Sequence, residues 1–185
     1  PIKSSAASDV YKRQDKEIPF ATPVSWAWAR IETIASEPRY GTSRKSAAEG
    51  KVPVLRMGNI TRMGTIDWTD LVYTSDAGDI AKYSLSAGDV IFNRTNSREW
   101  VGKTAYYDGS RECIYAGYLV AFTPIEMSGR YINYLMCSSY ERAWCKKVKT
   151  DGVNQSNINV QKLKTFLLPV PVSYTHLRAH ETELH

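Results

Sequence analysis

Short apolar segments separated by polar turns run through the middle of the chain, and this pattern is typical of a fold built largely from short strands. β-Branched and aromatic residues dominate these segments, and Gly, Asp, Asn or Ser bound most of them. Gly117 interrupts the most apolar segment, so we expect a close backbone approach or a bulge there. The predicted strands are residues 25–31, 52–60, 71–73, 90–92, 101–107 and 113–122.

Helical spacing is less frequent. Residues 31–36 are expected to form one or two turns, and the apolar positions of residues 128–149 recur every three or four residues, which predicts one helix packed on the sheet. Asn159 is expected to cap a short helix over 160–166. Three lysines crowd the end of the 128–149 helix, where they suit the helix dipole and equally suit a phosphate patch: Lys146, Lys147 and Lys149.

The two ends of the chain lack the periodicity of the middle. We interpret residues 1–14 as a non-native or disordered leader and residues 173–185 as a non-native or disordered tail, which leaves one domain over 15–172. The histidines of the chain all lie in the tail: His176, His180 and His185. The predicted domain therefore lacks the usual general base and the usual zinc ligand.

The composition fits a single folded domain. The chain has 185 residues, of which 43% are hydrophobic, and this is enough for a core. Its three cysteines form no C-x-x-C pair and are expected to be free thiols in a reducing compartment, which favours a cytoplasmic protein. No apolar run approaches the roughly 18 residues that a membrane span needs. The net charge of +5 leans towards a polyanionic partner.

One stretch carries the most distinctive chemistry. In residues 88–103, GDVIFNRTNSREWVGK, an apolar strand runs directly into the polar succession Asn93, Arg94, Thr95, Asn96 and Ser97. The planar ends of Asn and Arg pair bidentately with adenine and guanine edges, and Thr and Ser suit phosphates or either base. The alternative is a solvated turn whose side chains bond to their own backbone.

Three other segments carry similar side chains. The loop at 40–46, YGTSRKS, combines adjacent cations with hydroxyls, which suits phosphate contact and equally suits a flexible surface loop. The strand at 52–60 ends in Arg56 and Asn59, and so repeats the Arg and Asn chemistry of 93–97. The loop at 151–159 holds four Asn or Gln side chains.

Motifs of catalytic sites are absent from the sequence. It contains no Walker phosphate loop, no G-x-G-x-x-G after a strand, no G-x-S-x-G, no H-E-x-x-H and no Asn-Pro-Pro-aromatic signature of an amino-methyltransferase. We therefore predict a binding protein with no catalytic residues, no metal site and no cofactor.

Several pieces of the chain, in the right order, resemble a target recognition domain of a type I restriction-modification specificity subunit. The GD-x-x-F-x-RTNS-x-x-x-VGK block is the most specific of them, and together they span nearly all of residues 18–171. The pieces are P-x-x-W-x-W at 23–28, VPVLRMGNI at 52–60, YSLSAGDVIFNRTNSREWVGK at 83–103, AGYLVAF at 116–122 and DGVNQSNINVQKLKTFLLPVP at 151–171.

The resemblance implies an α/β fold of the α+β type, with a curved, mostly antiparallel sheet and packed helices. It implies a domain that reads one half of a split, asymmetric target and has no catalytic site of its own. The implied partners are double-stranded DNA, the methyltransferase (modification) subunit and, through it, the restriction subunit, with no membrane.

The resemblance places the loops rather than the individual contacts. Arg94 also has a second interpretation, as a buried organiser of its loop, and base reading then falls on 40–46 and 153–157. The candidates for contact with base edges are Asn59, Arg94, Asn96 and Gln155. The candidates for phosphate contact or loop support are Ser43, Arg44, Lys45, Arg56, Thr95, Ser97 and Lys103. The DNA-binding set also includes Tyr40, Thr42 and Asn154.

Two alternatives stay open. The first is a β-rich module whose polar loops bind a sugar or a peptide instead of DNA. The second is the recognition portion of a fused restriction-methylation enzyme.

Overall fold

A computed structural model of the chain describes residues 18–125 and 127–171. The predicted leader at 1–14, the predicted tail at 173–185 and the three histidines lie outside these described residues. The strands are β1 (Trp26–Arg30), β2 (Arg39–Tyr40), β3 (Val52–Leu55), β4 (Val72–Thr74), β5 (Val90–Asn93), β6 (Thr95–Asn96), β7 (Thr104–Tyr106), β8 (Ile114–Tyr115), β9 (Leu119–Phe122), β10 (Thr150–Asp151), β11 (Ser156–Asn157) and β12 (Leu167–Pro171). The helices are α1 (Ile31–Ile34), α2 (Ala77–Tyr83), α3 (Gly129–Met136), α4 (Ser139–Val148) and α5 (Val160–Lys164).

The centre of the fold is an antiparallel sheet with the strand order β2-β9-β5-β7. The side chains of β5 alternate between its two faces because a strand has a two-residue period. Val90 and Phe92 pack with residues of α3, α4 and α5, whereas Ile91 packs with Leu55 and Tyr115 of a second sheet. All five side chains are buried. The central sheet therefore carries a core on each face.

The second sheet has the order β4-β3-β8, and the β3–β8 pair is parallel. On its far side, Val54 and Ile114 pack against Ile80 and Tyr83 of α2. Two small sheets, β1-β12 and β10-β11-β6, complete the strand pairing of the described residues. The predicted α+β fold with mostly antiparallel strands is confirmed, although the strands divide among several small sheets instead of forming one curved sheet.

The strand predicted over 113–122 is divided in the structure. It breaks at 116–118 into β8, which pairs with β3, and β9, which pairs with β5. Gly117 donates its backbone N–H to the carbonyl oxygen of Thr42 at 2.8 Å, so the close backbone approach predicted at this glycine is confirmed. An apolar run looks alike in either sheet, and for this reason the change of partner strand is not visible in the sequence.

The single helix predicted over 128–149 is also divided, into α3 and α4. The Ser138 side chain caps α4 by accepting a hydrogen bond from the N–H of Glu141 at 3.4 Å. Asp76 similarly caps α2 through the N–H of Asp79 at 2.8 Å. Ser and Asp favour turns and helix caps alike, so these residues do not distinguish the two in a sequence.

The helix cap predicted at Asn159 and the predicted free thiols are confirmed. Asn159 caps α5 by accepting a hydrogen bond from the N–H of Lys162 at 2.9 Å. Cys113 and Cys145 are buried, Cys137 is half-buried, and all three thiols are free. Among the helices of residues 18–125 and 127–171, none is long and apolar enough to cross a membrane.

Two glycines have nearly the same positive φ but different surroundings, so alanine at each position compares the cost of backbone strain alone with the cost of strain plus a side-chain clash. Gly88 has φ +99° and open space where a Cβ would lie. Gly102 has φ +96°, but its Cβ would overlap the Cys145 Sγ and lie 3.0 Å from the Glu141 Oε1. We expect Gly88→Ala to lower the free energy of unfolding by about 1–2 kcal/mol and Gly102→Ala to lower it clearly more. Chemical denaturation measures both, and equal losses would contradict the close packing of Gly102 on α4.

Candidate nucleic-acid interface

Arg94 joins three segments of the chain. Its backbone N–H donates to the carbonyl oxygen of Tyr118 at 3.1 Å, and its own carbonyl oxygen accepts from the N–H of Ile158 at 2.8 Å. The Nη1 atom donates to the carbonyl oxygen of Gly117 at 3.2 Å, and the guanidinium carbon lies 5.0 Å from the centre of the Tyr40 ring. The residue after β5 is therefore fixed to the Tyr40 loop, to the 116–118 turn and to the segment after β11.

The polar stretch at 93–97 is also paired with the polar loop at 151–159. Strand β6 lies beside β11, with Asn96 opposite Ser156 and Thr95 opposite Asn157. The Asn157 Nδ2 donates to the Thr95 Oγ1 at 2.7 Å, and both partners are at least half-buried. Because β10 and β11 form a hairpin, this pairing carries the hairpin tip, residues 152–155, to the side of the 93–97 stretch.

The loop at 40–46 contains an internal framework and an outward part. The buried Thr42 hydroxyl donates to the Asp79 carboxylate and accepts from the N–H of Arg44 at 3.0 Å. Arg44 forms ion pairs with Asp76 at 2.6 Å and with Asp79 at 3.3 Å, so much of its charge is balanced within the protein. Ser43 and Lys45 are exposed.

The ends of β3 and β5 are held together beside an open cleft of about 540 Å³, here called the polar cleft. The Lys103 Nζ donates to the carbonyl oxygen of Met57 at 3.1 Å and to that of Ile60, and the Asn93 Nδ2 donates to the Met57 carbonyl at 3.4 Å. Burial lowers the pKa of Lys103, and the nearby charge of Arg62 lowers it further. The polar cleft is lined by Arg56, Met57, Gly58, Asn59, Asp67, Thr69, Asp70, Asn96, Trp100 and Lys103.

The polar ends of both strands therefore reach one cleft, through Arg56 and Asn59 after β3 and Asn96 after β5, but these side chains differ in accessibility. Asn59 is 2% exposed; its Oδ1 accepts from the N–H of Arg56 at 2.8 Å, and its Nδ2 donates to the carbonyls of Asp67 and Thr69 at 3.1 Å each. Arg56 itself donates to the Asp70 carboxylate at 3.0 Å. Asn59 and Arg56 thus build the cleft wall.

Asn96 presents more of its amide to the cleft. Its Oδ1 accepts from the N–H of Ser97 at 2.8 Å, which fixes the plane of the amide. No acceptor among the described residues pairs with its NH2 group. The candidate residues that are exposed, and whose side chains have no hydrogen-bond partner within the described ranges, are Tyr40, Ser43, Lys45, Ser97, Asn154 and Gln155.

A second, smaller concavity of about 70 Å³ lies beside the polar cleft, and we call it the cationic groove. Arg62, Arg98 and Arg142 are far apart in the chain, so the sequence does not indicate that they share a binding site. The spacing of 142, 146 and 149 on one helix face was the available signal. The cations that line the groove are Arg62, Arg98, Lys103, Arg142, Lys146 and Lys149.

The floor of the cationic groove holds a buried carboxyl and a buried thiol. Glu141 is 3% exposed, and the Cys145 Sγ donates to its Oε1 at 2.7 Å. Burial raises the pKa of Glu141 to about 8, although the Cys145 hydrogen bond and the Arg142 charge act in the opposite direction. Burial and the neighbouring Glu141 raise the pKa of Cys145. Both groups are therefore largely protonated at neutral pH.

Comparison with known proteins relates most of the chain to one family. Residues 23–176 match the family described as type I restriction modification DNA specificity domain. The chain is 32% identical over 155 residues to a protein of Methanocaldococcus jannaschii assigned as the MjaX type I restriction enzyme specificity subunit. This match covers 80% of the chain and 36% of that protein, so the chain spans about a third of its relative's length.

Solved structures share the fold. The match to the HsdS subunit from Thermoanaerobacter tengcongensis covers 97% of this chain and 47% of the HsdS chain, at a TM-score of 0.57 and 14% identity. The match to an S subunit of a type I restriction-modification system from M. genitalium covers 91% of this chain and 41% of the S subunit, at a TM-score of 0.55 and 14% identity. A third match is to a chain from a structure on complex assembly and conformational transition of a type I R-M system. It covers 97% of this chain and 43% of that chain, at a TM-score of 0.61 and 16% identity.

The buried Glu141 gives a pH prediction. Its folded pKa of about 8 lies above the ordinary value of 4.5, so the folded chain holds a proton that the unfolded chain has already lost. Stability should therefore fall as pH rises from about 5 to 8, with each unit of pKa difference worth about 1.4 kcal/mol.

We expect Glu141→Gln to flatten this dependence and to raise the melting temperature at pH 8 more than at pH 5. Thermal unfolding followed by circular dichroism measures it. Glu99→Gln, which removes an exposed carboxylate of the same groove, is the matched control and should keep the wild-type slope. An unchanged slope in Glu141→Gln would show that another group causes it.

Proposed function

The chain belongs to the type I restriction modification DNA specificity domain family, and we propose that it reads one half of a split, asymmetric target in double-stranded DNA. Family membership makes it a DNA recognition domain rather than an enzyme. The observation that best supports the half-target proposal is the convergence of three polar segments, at 40–46, 93–97 and 151–159, around Arg94. One such surface suits one short, continuous stretch of base pairs.

The outward side chains of this surface carry the proposed contacts. Asn96 and Gln155 present planar amides, which pair bidentately with adenine in the major groove. Lys45, Ser43 and Ser97 offer a charge and hydroxyl donors to phosphates. Asn154 lies beside Gln155 at the exposed hairpin tip and completes the outward set.

The other candidate residues support these contacts in our proposal. Thr42, Asn59 and Thr95 are buried and use their side chains within the protein. Tyr40 is 46% exposed and lies against the Arg94 guanidinium, which leaves part of its ring accessible to DNA. Arg44, Arg56 and Lys103 each hold a loop through contacts with carboxylates or carbonyls, while their exposed parts contribute positive charge.

We further propose that the whole subunit carries a second recognition domain and joins a methyltransferase subunit and, through it, a restriction subunit, in the cytoplasm. The M. jannaschii relative is long enough for this arrangement, because the match occupies 36% of it. In such a complex this chain would supply sequence choice, while the other subunits would supply methylation and cleavage.

Selection from a random duplex library by the purified full chain tests the function. The proposal predicts one short consensus, bound more tightly than scrambled duplex and with steep salt dependence. Weak, salt-insensitive association without a consensus would instead favour a sugar- or peptide-binding module.

Expression of the intact gene with its modification subunit, followed by mapping of methylated adenines, tests the half-target proposal. A methyltransferase motif upstream in that gene would indicate a fused enzyme.

Arg94→Ala and Asn96→Ala separate the organiser from the reader. We expect Asn96→Ala to cost about 1–3 kcal/mol on the selected duplex, to relax one base position, and to leave binding of scrambled duplex nearly unchanged. We expect Arg94→Ala to weaken both duplexes alike and to lower the melting temperature, because it removes the side-chain contacts that tie this position to Gly117 and to the Tyr40 ring. Fluorescence anisotropy measures both variants, and a sequence-selective loss in Arg94→Ala would make Arg94 a base reader.

Lys45→Ala tests a phosphate contact. The lysine is exposed and has no ion-pair partner within the described residues, so its loss should leave the fold intact. We expect weaker binding of all duplexes by a similar factor and a salt slope flatter by about one. Binding measured between low and moderate salt checks this, and a change confined to the selected sequence would contradict a phosphate role.

A further inference from the structure

The cationic groove gathers positive charge from separate parts of the chain. Arg62 comes from the loop after β3, Arg98 and Lys103 follow β6, and Arg142 and Lys146 come from one face of α4. Arg142 and Lys146 are four residues apart on the helix, so these like charges are neighbours and repel each other. The fold therefore maintains a concentration of cations that is unfavourable unless an anion offsets it.

The carboxylates near the groove balance only part of this charge. Glu99 lines the groove as an exposed carboxylate and forms no ion pair within the described residues. Asp151 pairs with Lys149 at 2.7 Å and lies 4.0 Å from Arg98. Glu141 is buried at the floor, where its raised pKa keeps it largely protonated at neutral pH. Within residues 18–125 and 127–171, no carboxylate forms an ion pair with Arg62, Arg142 or Lys146. These three cations are thus available to an anion from outside the chain.

The groove is continuous with the polar cleft. Lys103 lines both concavities, and Trp100, which lines the cleft, packs against Arg62, which lines the groove. The Arg62 guanidinium carbon lies 3.4 Å from the centre of the Trp100 ring. Stacking on the indole fixes the plane of the guanidinium, and a fixed guanidinium is well suited to bidentate contact with a phosphate.

We propose that the cationic groove holds backbone phosphates of the duplex next to the base pair that Asn96 reads at the polar cleft. The proposal rests on the DNA-reading function proposed above and adds a second line of contact to it. Arg62, Arg142 and Lys146 are the phosphate-binding residues, and the Arg62–Trp100 stack connects this line to the reading surface. The contacts are indifferent to base sequence and set the position of the duplex on the protein.

Helix α4 provides a matched pair of variants. Lys146 lines the groove, whereas Lys147, the next residue, is also exposed but does not line it. Lys146→Ala and Lys147→Ala each remove one positive charge from the same helix, but only Lys146→Ala removes it from the lining of the groove. The full chain and each variant are titrated with a selected duplex and with a scrambled duplex at several salt concentrations, after circular dichroism has shown equal folding.

We expect Lys146→Ala to weaken both duplexes equally, by roughly fivefold to tenfold at 0.1 M salt, and to flatten the salt slope by about one. Arg142→Ala combined with Lys146→Ala should flatten it by about two, and Lys146→Arg should restore most of the wild-type affinity. Lys147→Ala should stay close to wild type. Equal effects of Lys146→Ala and Lys147→Ala would overturn the phosphate line while DNA reading stands, and a wild-type chain that binds no duplex would overturn both proposals.

Discussion

The arrangement of the candidate interface depends on the contacts of a single residue, Arg94. Its two backbone groups bond to different segments, at Tyr118 and Ile158. Its guanidinium bonds to Gly117 and lies 5.0 Å from the centre of the Tyr40 ring, which belongs to a third segment. A loop fixed at three points loses little conformational freedom when it meets a ligand, which lowers the entropic cost of binding. The polar side chains on either side of Arg94 are therefore presented in defined positions.

Around this centre the polar residues divide into two groups. Buried ones such as Thr42, Asn59 and Thr95 have internal hydrogen-bond partners, as polar groups removed from water require. Exposed ones such as Lys45 and Gln155 extend from the loops that the first group holds in place. Both groups contain the same residue types, so burial, and not side-chain chemistry, distinguishes the residues that hold the loops from those proposed to contact DNA.

Much of the fold follows from local sequence, but the meeting of distant segments does not. The β5 strand was predicted because Val, Ile and Phe occur together there, and Asn159 was predicted as a cap because an amide oxygen satisfies a free N–H at a helix start. The sequence located the 93–97 and 151–159 loops without indicating that β6 pairs with β11. Arg62 was missed because its importance depends on a Trp100 ring that comes close only after folding.

The central claim is that three separate loops form one DNA-contacting surface, and site-specific photo-crosslinking tests it most directly. A photoreactive amino acid is placed in turn at Ser43, Ser97 and Gln155, and at Lys82 on the outer helix α2 as the control. With the selected duplex bound, the account predicts that the three loop positions crosslink to neighbouring base pairs of one short stretch and that position 82 does not crosslink. Crosslinks from a single loop, or equally strong crosslinks from position 82, would contradict the account.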